Sequence, residues 1–165
     1  MFRSLELPGS IPGKIYLHSM PGYYEQYEPA VLEISEKGIQ KVISFTSMDE
    51  IRAKSPEYAK AIEAGSLPFD WISFPIRDFY VPEDRDAYLR LVKETARNIA
   101  GGESVLVHCA AGIGRTGMFA ASVLLALGLD KSDAVAHVRS AGSEPEITYQ
   151  AALVDWVADN ISGTT

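Results

Sequence analysis

One cysteine in 165 residues is too few for an intrachain disulfide, so Cys109 is either inert packing or a reactive thiol. No apolar run approaches the ~20 residues of a membrane span; the longest, Met118 to Leu127, is about half that. The start Met1-Phe2-Arg3-Ser4-Leu5-Glu6 lacks the apolar stretch of a signal peptide, and a soluble, intracellular, cytoplasmic protein is expected. Positive charge is also scarce: 15 Lys and Arg stand against 22 Asp and Glu, for a net charge of −7. That balance argues against nonspecific nucleic-acid binding and against docking on an anionic membrane, since both use basic surfaces. It does not exclude a phosphorylated ligand, because a pocket's local field is set by its own dipoles and one or two cations. Internal repeats, low-complexity runs and long charge blocks are absent too. With 47% hydrophobic residues, the chain can bury a real core, and a single domain over residues 1–165, monomeric, is expected.

What is present alternates. Strands are expected at Lys14 to His18, Val42 to Phe45, Trp71 to Phe74 and Val105 to Val107. Between them lie helices at Glu28 to Lys37 with Val31 and Ile34 on one face, at Glu57 to Ala64, and at Glu83 to Ala100 with Tyr88, Leu91, Val92, Thr95 and Ile99 on one stripe. Ser47 or Asp49 can cap a further short helix. His18 alternates onto the polar side of its strand and is expected there as a solvated or hydrogen-bonded histidine. Beyond residue 115 the pattern is purely helical: Thr116 to Leu127, Ser132 to Ser140, and Thr148 to Asn160 with Ala152, Leu153, Trp156 and Val157 inward. The expected fold is α/β, a mostly parallel sheet of four to five strands flanked by helices, with a helical C-terminal half.

The chemistry concentrates in Val107-His108-Cys109-Ala110-Ala111-Gly112-Ile113-Gly114-Arg115-Thr116-Gly117. Strand, glycine-bearing loop and helix N-terminus aim backbone N–H groups and a positive dipole end at one small space, an anion cradle. Gly112 to Gly117 fits the letters of a dinucleotide fingerprint, but helices follow it where that fold needs another strand. A Walker loop would need lysine at Arg115. The remaining reading is a nucleophile, Cys109, with an arginine clamp six residues on. The cradle and Arg115 favour the thiolate, the species that attacks; the planar fork of Arg115 matches two phosphate oxygens. Gly112 and Gly114 let the backbone approach the anion, and the Thr116 hydroxyl can donate to the sulfur as it leaves.

The segment His108 to Gly117 resembles the signature loop of the cysteine-based protein tyrosine phosphatases at every fixed position. Ile11 to Leu17, Met20-Pro21-Gly22, Gly38-Ile39, Glu50 and Pro75-Ile76-Arg77-Asp78 resemble its small dual-specificity branch, of the kinase-associated phosphatase (cyclin-dependent kinase inhibitor 3) type. The resemblance implies a two-step phosphomonoester hydrolysis through a phosphocysteine on Cys109, without metal or cofactor. It implies a phosphate loop of Ala110, Ala111, Gly112, Ile113, Gly114 and Arg115, with His108 bonding the loop backbone and helping to hold the thiolate. It places the general acid and later base at Asp78; Asp84 and Asp86 compete, but sit where helix first turns favour acids anyway. Gln150 matches a water-positioning glutamine, or is a polar residue of a first helical turn, and Glu146 stands where a second glutamine would be. Arg139 falls near a position where the family often keeps a basic residue.

The expected partner is a phosphorylated protein, on phosphotyrosine and possibly phosphoserine or phosphothreonine. The uncharged Ala110, Ala111 and Ile113 make inositol phosphates or phosphoinositide lipids the lesser alternative. Tyr23, Tyr24, Phe79 and Tyr80 can stack on a phenyl ring or simply pack. A phosphoprotein-binding scaffold without turnover is the rival from another class.

Overall fold

A computed structural model describes residues 2–162. Five strands form one sheet in the order β1-β2-β5-β3-β4: β1 (Arg3–Ser4), β2 (Lys14–His18), β3 (Lys41–Ser44), β4 (Asp70–Ser73) and β5 (Ser104–His108). Only β1 runs antiparallel; β2, β5, β3 and β4 pair in parallel, with His18 beside His108 and Ser44 beside His108 in the register. The carboxyl ends of the three central strands therefore finish level. In a parallel sheet this is the edge where ligand-binding loops gather.

Helices α1 (Tyr27–Glu36), α2 (Met48–Lys54) and α3 (Pro56–Glu63) serve the first half, and α4 (Arg85–Ala100), α5 (Gly114–Ala126), α6 (Lys131–Ser140) and α7 (Thr148–Asn160) the second. Local chemistry explains their starts. Ser47 accepts from the Glu50 N–H at 3.2 Å, Asp84 from Ala87 at 2.8 Å and Asp130 from Asp133 at 2.9 Å, each filling an orphan donor of a first turn. The expected stripe of α4 is buried, with Ala96 added. Helix α5 is buried all along its length because it runs through the middle of the molecule, packed by α4, α6 and α7. A helix apolar on every side is what such a position selects.

Three expectations need correction. His18 is not on a solvated face: it is fully buried, with Nδ1 against the Ser19 carbonyl. Strand β2 lies inside the sheet and is covered on both faces, so residues 15–18 are all buried and alternation carries no polar side. In α7 the inward set is Gln150, Leu153, Val154 and Val157, while Ala152 is exposed and Trp156 half-buried; the helix is rotated toward its Gln150 edge. In α1 the buried pair is Ala30 and Ile34, with Val31 half-buried. The fifth strand, β1, is only two residues long and leaves no periodicity to read. Among the described residues no helix is long and apolar enough to cross a membrane.

Candidate active site

Strand β5 ends at His108, and the loop from Cys109 to Ile113 turns directly into α5, so Arg115 lies in that helix's first turn. Thr116 donates its hydroxyl to the Cys109 sulfur at 3.2 Å. The loop's carbonyls are held by donors elsewhere. The Cys109 carbonyl accepts from His108 Nδ1 at 3.0 Å, Ala110 from the Met20 N–H at 2.9 Å, and Gly112 from Arg3 Nη2 at 2.8 Å and from the Ser143 hydroxyl. In a trans peptide the C=O and the next N–H point opposite ways, and no peptide here is cis. Turning these carbonyls outward therefore turns the N–H groups of Ala110, Ala111 and Ile113 inward, which makes a nest for an anion. Gly112 is required for this: its φ is +76°, and a Cβ there would lie 2.4 Å from the His18 carbonyl oxygen.

The histidines beneath the loop are neutral. Burial holds both His108 and His18 down to about 4. Because His108 donates from Nδ1 to a carbonyl, its Nε2 is an acceptor, and the Tyr58 hydroxyl donates to it at 3.0 Å. Tyr58, on α3, is fully buried, so the chain from Tyr58 through His108 to the Cys109 backbone is fixed in direction.

Arg115 is the largest fully buried side chain and is held from several elements. Nη1 and Nη2 reach the Glu50 carboxylate at 2.9 and 3.0 Å, Nη1 also donates to the Ile76 carbonyl at 2.9 Å, and Nη2 lies 3.1 Å from Asp78 Oδ1. Burial works against its charge, but the bonds to Glu50 and the fields of Cys109 and Asp78 outweigh it and raise the guanidinium above its ordinary value. Burial likewise opposes the Glu50 charge, but Arg115 and Lys54 outweigh it and hold that carboxyl below its usual range. The Arg115 Nε is buried without a hydrogen-bond partner. A buried donor left unpaired is costly, and a phosphate oxygen in the cradle is of the kind that would satisfy it.

Asp78 sits at the tip of a tight turn closed by the Tyr80 N–H on the Arg77 carbonyl at 3.0 Å, with Arg77 stacked over the Tyr80 ring at 4.6 Å. Phe79 takes a φ of +59°, the one positive φ outside glycine among the described residues. The competitors are elsewhere: Asp84 caps α4 and Asp86 is in its first turn. Gln150 is buried with its amide committed to backbone, Oε1 accepting from the Glu146 N–H at 2.9 Å and Nε2 donating to the Tyr80 carbonyl at 3.2 Å. The Glu146 carboxylate abuts Gly114, where a Cβ would lie 2.1 Å from Oε2. Arg139 is not brought to the loop; it is exposed and paired with Glu144 at 2.9 Å.

Sequence reasoning missed Arg3, Tyr58 and Ser143, and assigned no contact to Glu50. Tyr58 and Ser143 sit in ordinary helix and turn context, and Arg3 lies 109 residues from the carbonyl it holds, so no local pattern marks them.

A buried arginine, a thiol under a donated hydroxyl and a nest of N–H groups at the carboxyl edge of a parallel sheet are in keeping with a cysteine-dependent phosphatase of the dual-specificity kind. The chain belongs to the family described as "Polymorphic toxin system, DSP-PTPase phosphatase", whose model matches residues 18–129. Among solved structures, kinase associated phosphatase is similar over 100% of this chain and 97% of its own, with a TM-score of 0.82 at 18% identity. PTPMT1 matches over 98% and 96%, with a TM-score of 0.73 at 16% identity. P. aeruginosa TpbA, solved with phosphotyrosine, matches over 98% and 97%, with a TM-score of 0.62 at 21% identity.

Proposed function

We propose that this phosphatase acts on phosphoproteins, phosphotyrosine first and phosphoserine or phosphothreonine second, by two steps carried on its own side chains. In the first, the Cys109 thiolate attacks phosphorus, the bond to the alcohol or phenol oxygen breaks, and Asp78 gives its proton to that oxygen. Arg115 and the inward N–H groups hold the equatorial oxygens as charge spreads over them. In the second step water attacks phosphorus, its proton passes to Asp78, and the P–S bond breaks as Thr116 donates to the departing sulfur. Gln150 acts here as a positioning residue, tying the turn that carries Asp78 to Glu146 beside the phosphate loop.

The observation that supports this reading best is the Asp78 carboxylate 3.1 Å from Arg115, the residue whose guanidinium also feels the Cys109 charge. A scaffold needs the clamp but not the acid. Hydrolysis of an aryl phosphate in EDTA, abolished in Cys109→Ser, is the expected result; vanadate binding without turnover in the wild type would leave only the scaffold. Asp78→Ala should lose roughly 10²-fold or more on an alkyl leaving group and far less on a nitrophenyl one, and equal losses would move the acid to another residue.

Support for a protein substrate lies at the rim, where the Tyr23 and Tyr24 rings meet tilted with centroids 4.2 Å apart and Phe79, Tyr80 and Tyr149 are exposed. Such rings suit a phenyl phosphate and its neighbouring side chains. PTPMT1 has been solved in complex with PI(5)P, so the deciding comparison sets phosphotyrosyl and phosphoseryl peptides against PI(5)P micelles. A kcat/KM higher on the lipid overturns the protein reading. A cytoplasmic location fits this role, since a reduced thiol is the working form of Cys109.

A further inference from the structure

Arg3 reaches across from β1 and closes the outside of the phosphate loop. Its Nη2 donates to the Gly112 carbonyl at 2.8 Å, and its Nη1 donates to the Ala141 carbonyl at 3.1 Å, the Gly142 carbonyl at 2.9 Å and the Ser143 hydroxyl at 2.9 Å. The Ser143 hydroxyl in turn donates to the same Gly112 carbonyl. One planar fork thus spans the loop and the end of α6, which no single lysine point charge can do. Neither Arg3 nor Ser143 lies within the residues 18–129 that the family model matches, and the arginine that the sequence nominated, Arg139, is turned to solvent.

The Gly112 carbonyl is the one that matters for the cradle. At a φ of +76° the peptide between Gly112 and Ile113 is held at a glycine, whose freedom allows it to turn over. Turned over, it would aim a carbonyl dipole at the thiolate and at the phosphate and withdraw the Ile113 N–H. Two donors from Arg3 and Ser143 oppose that turn, and the Arg3 charge itself stands close enough to feel the Cys109 sulfur. Burial lowers the Arg3 guanidinium from its ordinary value while the Cys109 charge acts to raise it.

We propose that Arg3, with Ser143, is a positioning residue of the reaction: it locks the Gly112 carbonyl outward, keeps the Ile113 N–H in the anion nest, and brings a second cation to the loop that carries Cys109. The proposal rests on the phosphatase reading only for its effect on turnover, since the state of the thiol is measurable without substrate. The other charged and titratable groups about the loop are Arg115, Asp78, Glu50, His18, His108, Glu146 and Tyr24, and of these His18 itself feels the Arg3 charge.

The test is Arg3→Met, Arg3→Lys and Ser143→Ala, with Arg139→Met as a control that removes an equal charge from the surface. Cys109 alkylation by iodoacetamide is followed against pH, kcat/KM is measured on an aryl phosphate, and a thermal melt reports folding. Arg3→Met should move the alkylation profile to higher pH by about half a unit or more and lower kcat/KM by roughly tenfold or more. Arg3→Lys should recover the profile through its charge but leave kcat/KM reduced, and Arg139→Met should change neither. A folded Arg3→Met with the wild-type profile and turnover overturns the proposal and leaves Arg3 a fastener of the terminus. Should Arg3→Met fail to fold, Arg3→Lys and Ser143→Ala decide: wild-type kcat/KM in both overturns it, and a loss in both supports it. A wild type that shows no turnover but a shifted profile in Arg3→Met would refute the phosphatase reading and retain the lock.

Discussion

At Gly112 a single hydrogen in place of a methyl separates a working cradle from a blocked one. Gly112→Ala would put a Cβ against the His18 carbonyl and hold a left-handed φ that alanine resists, so we expect a loss of at least ~1–2 kcal/mol in unfolding stability and loss of vanadate binding by calorimetry. Glu50→Gln tests the clamp in another way. The bidentate pair with Arg115 becomes a neutral contact, and vanadate affinity should fall on the order of tenfold while the fold persists; unchanged affinity would mean that the Ile76 carbonyl and the Phe45 carbonyl, which accepts from Nη1 at 3.3 Å, suffice to aim Arg115. Cys109 and Arg115 were legible in the sequence because only five residues lie between them and their chemistry is local. Arg3 and Tyr58 were not, because an arginine in a two-residue strand and a tyrosine in a helix acquire meaning only from what the fold brings against them.

Among the elements, the turn after β4 and the start of α7 act together. The place of Asp78 beside Arg115 follows from topology, since loops after parallel strands gather at one sheet edge. The link from Gln150 to the Tyr80 carbonyl was not legible, because a residue that resembles a water-positioning glutamine carries no sign of binding a backbone 70 residues away. Gln150→Ala frees that turn, and kcat should fall by several-fold to tenfold with the leaving-group dependence of a misplaced acid. A loss equal for all leaving groups would instead point to the water step. The misreading of His18 also belongs at this scale: alternation along a strand predicts a polar face only where one face of the sheet meets water, and β2 has none.

Across the whole molecule the buried histidines set a stability window. His18 and His108 stay neutral in the fold down to about 4, while in the unfolded chain they titrate near 6.5. Between those values the unfolded state binds the extra protons, so stability is fully present above about pH 6.5 and is lost as pH falls toward 4. The expected loss by pH 4.5 is of the order of 2–3 kcal/mol per histidine, read as a falling urea midpoint. Glu50, held below its ordinary 4.5, contributes above that value and is lost only below it, largely outside this window. A midpoint unchanged between pH 7 and 5 would mean that the imidazoles charge within the fold.

The Arg3 fork joins positions 138 to 140 residues apart at the end of α6 and 109 residues apart at the phosphate loop. Contacts of such separation close late, because the chain between them must first be ordered. We therefore expect the cradle to mature late: during refolding, helical ellipticity should return before vanadate binding does, and simultaneous return of the two would show that the cradle forms with the helices.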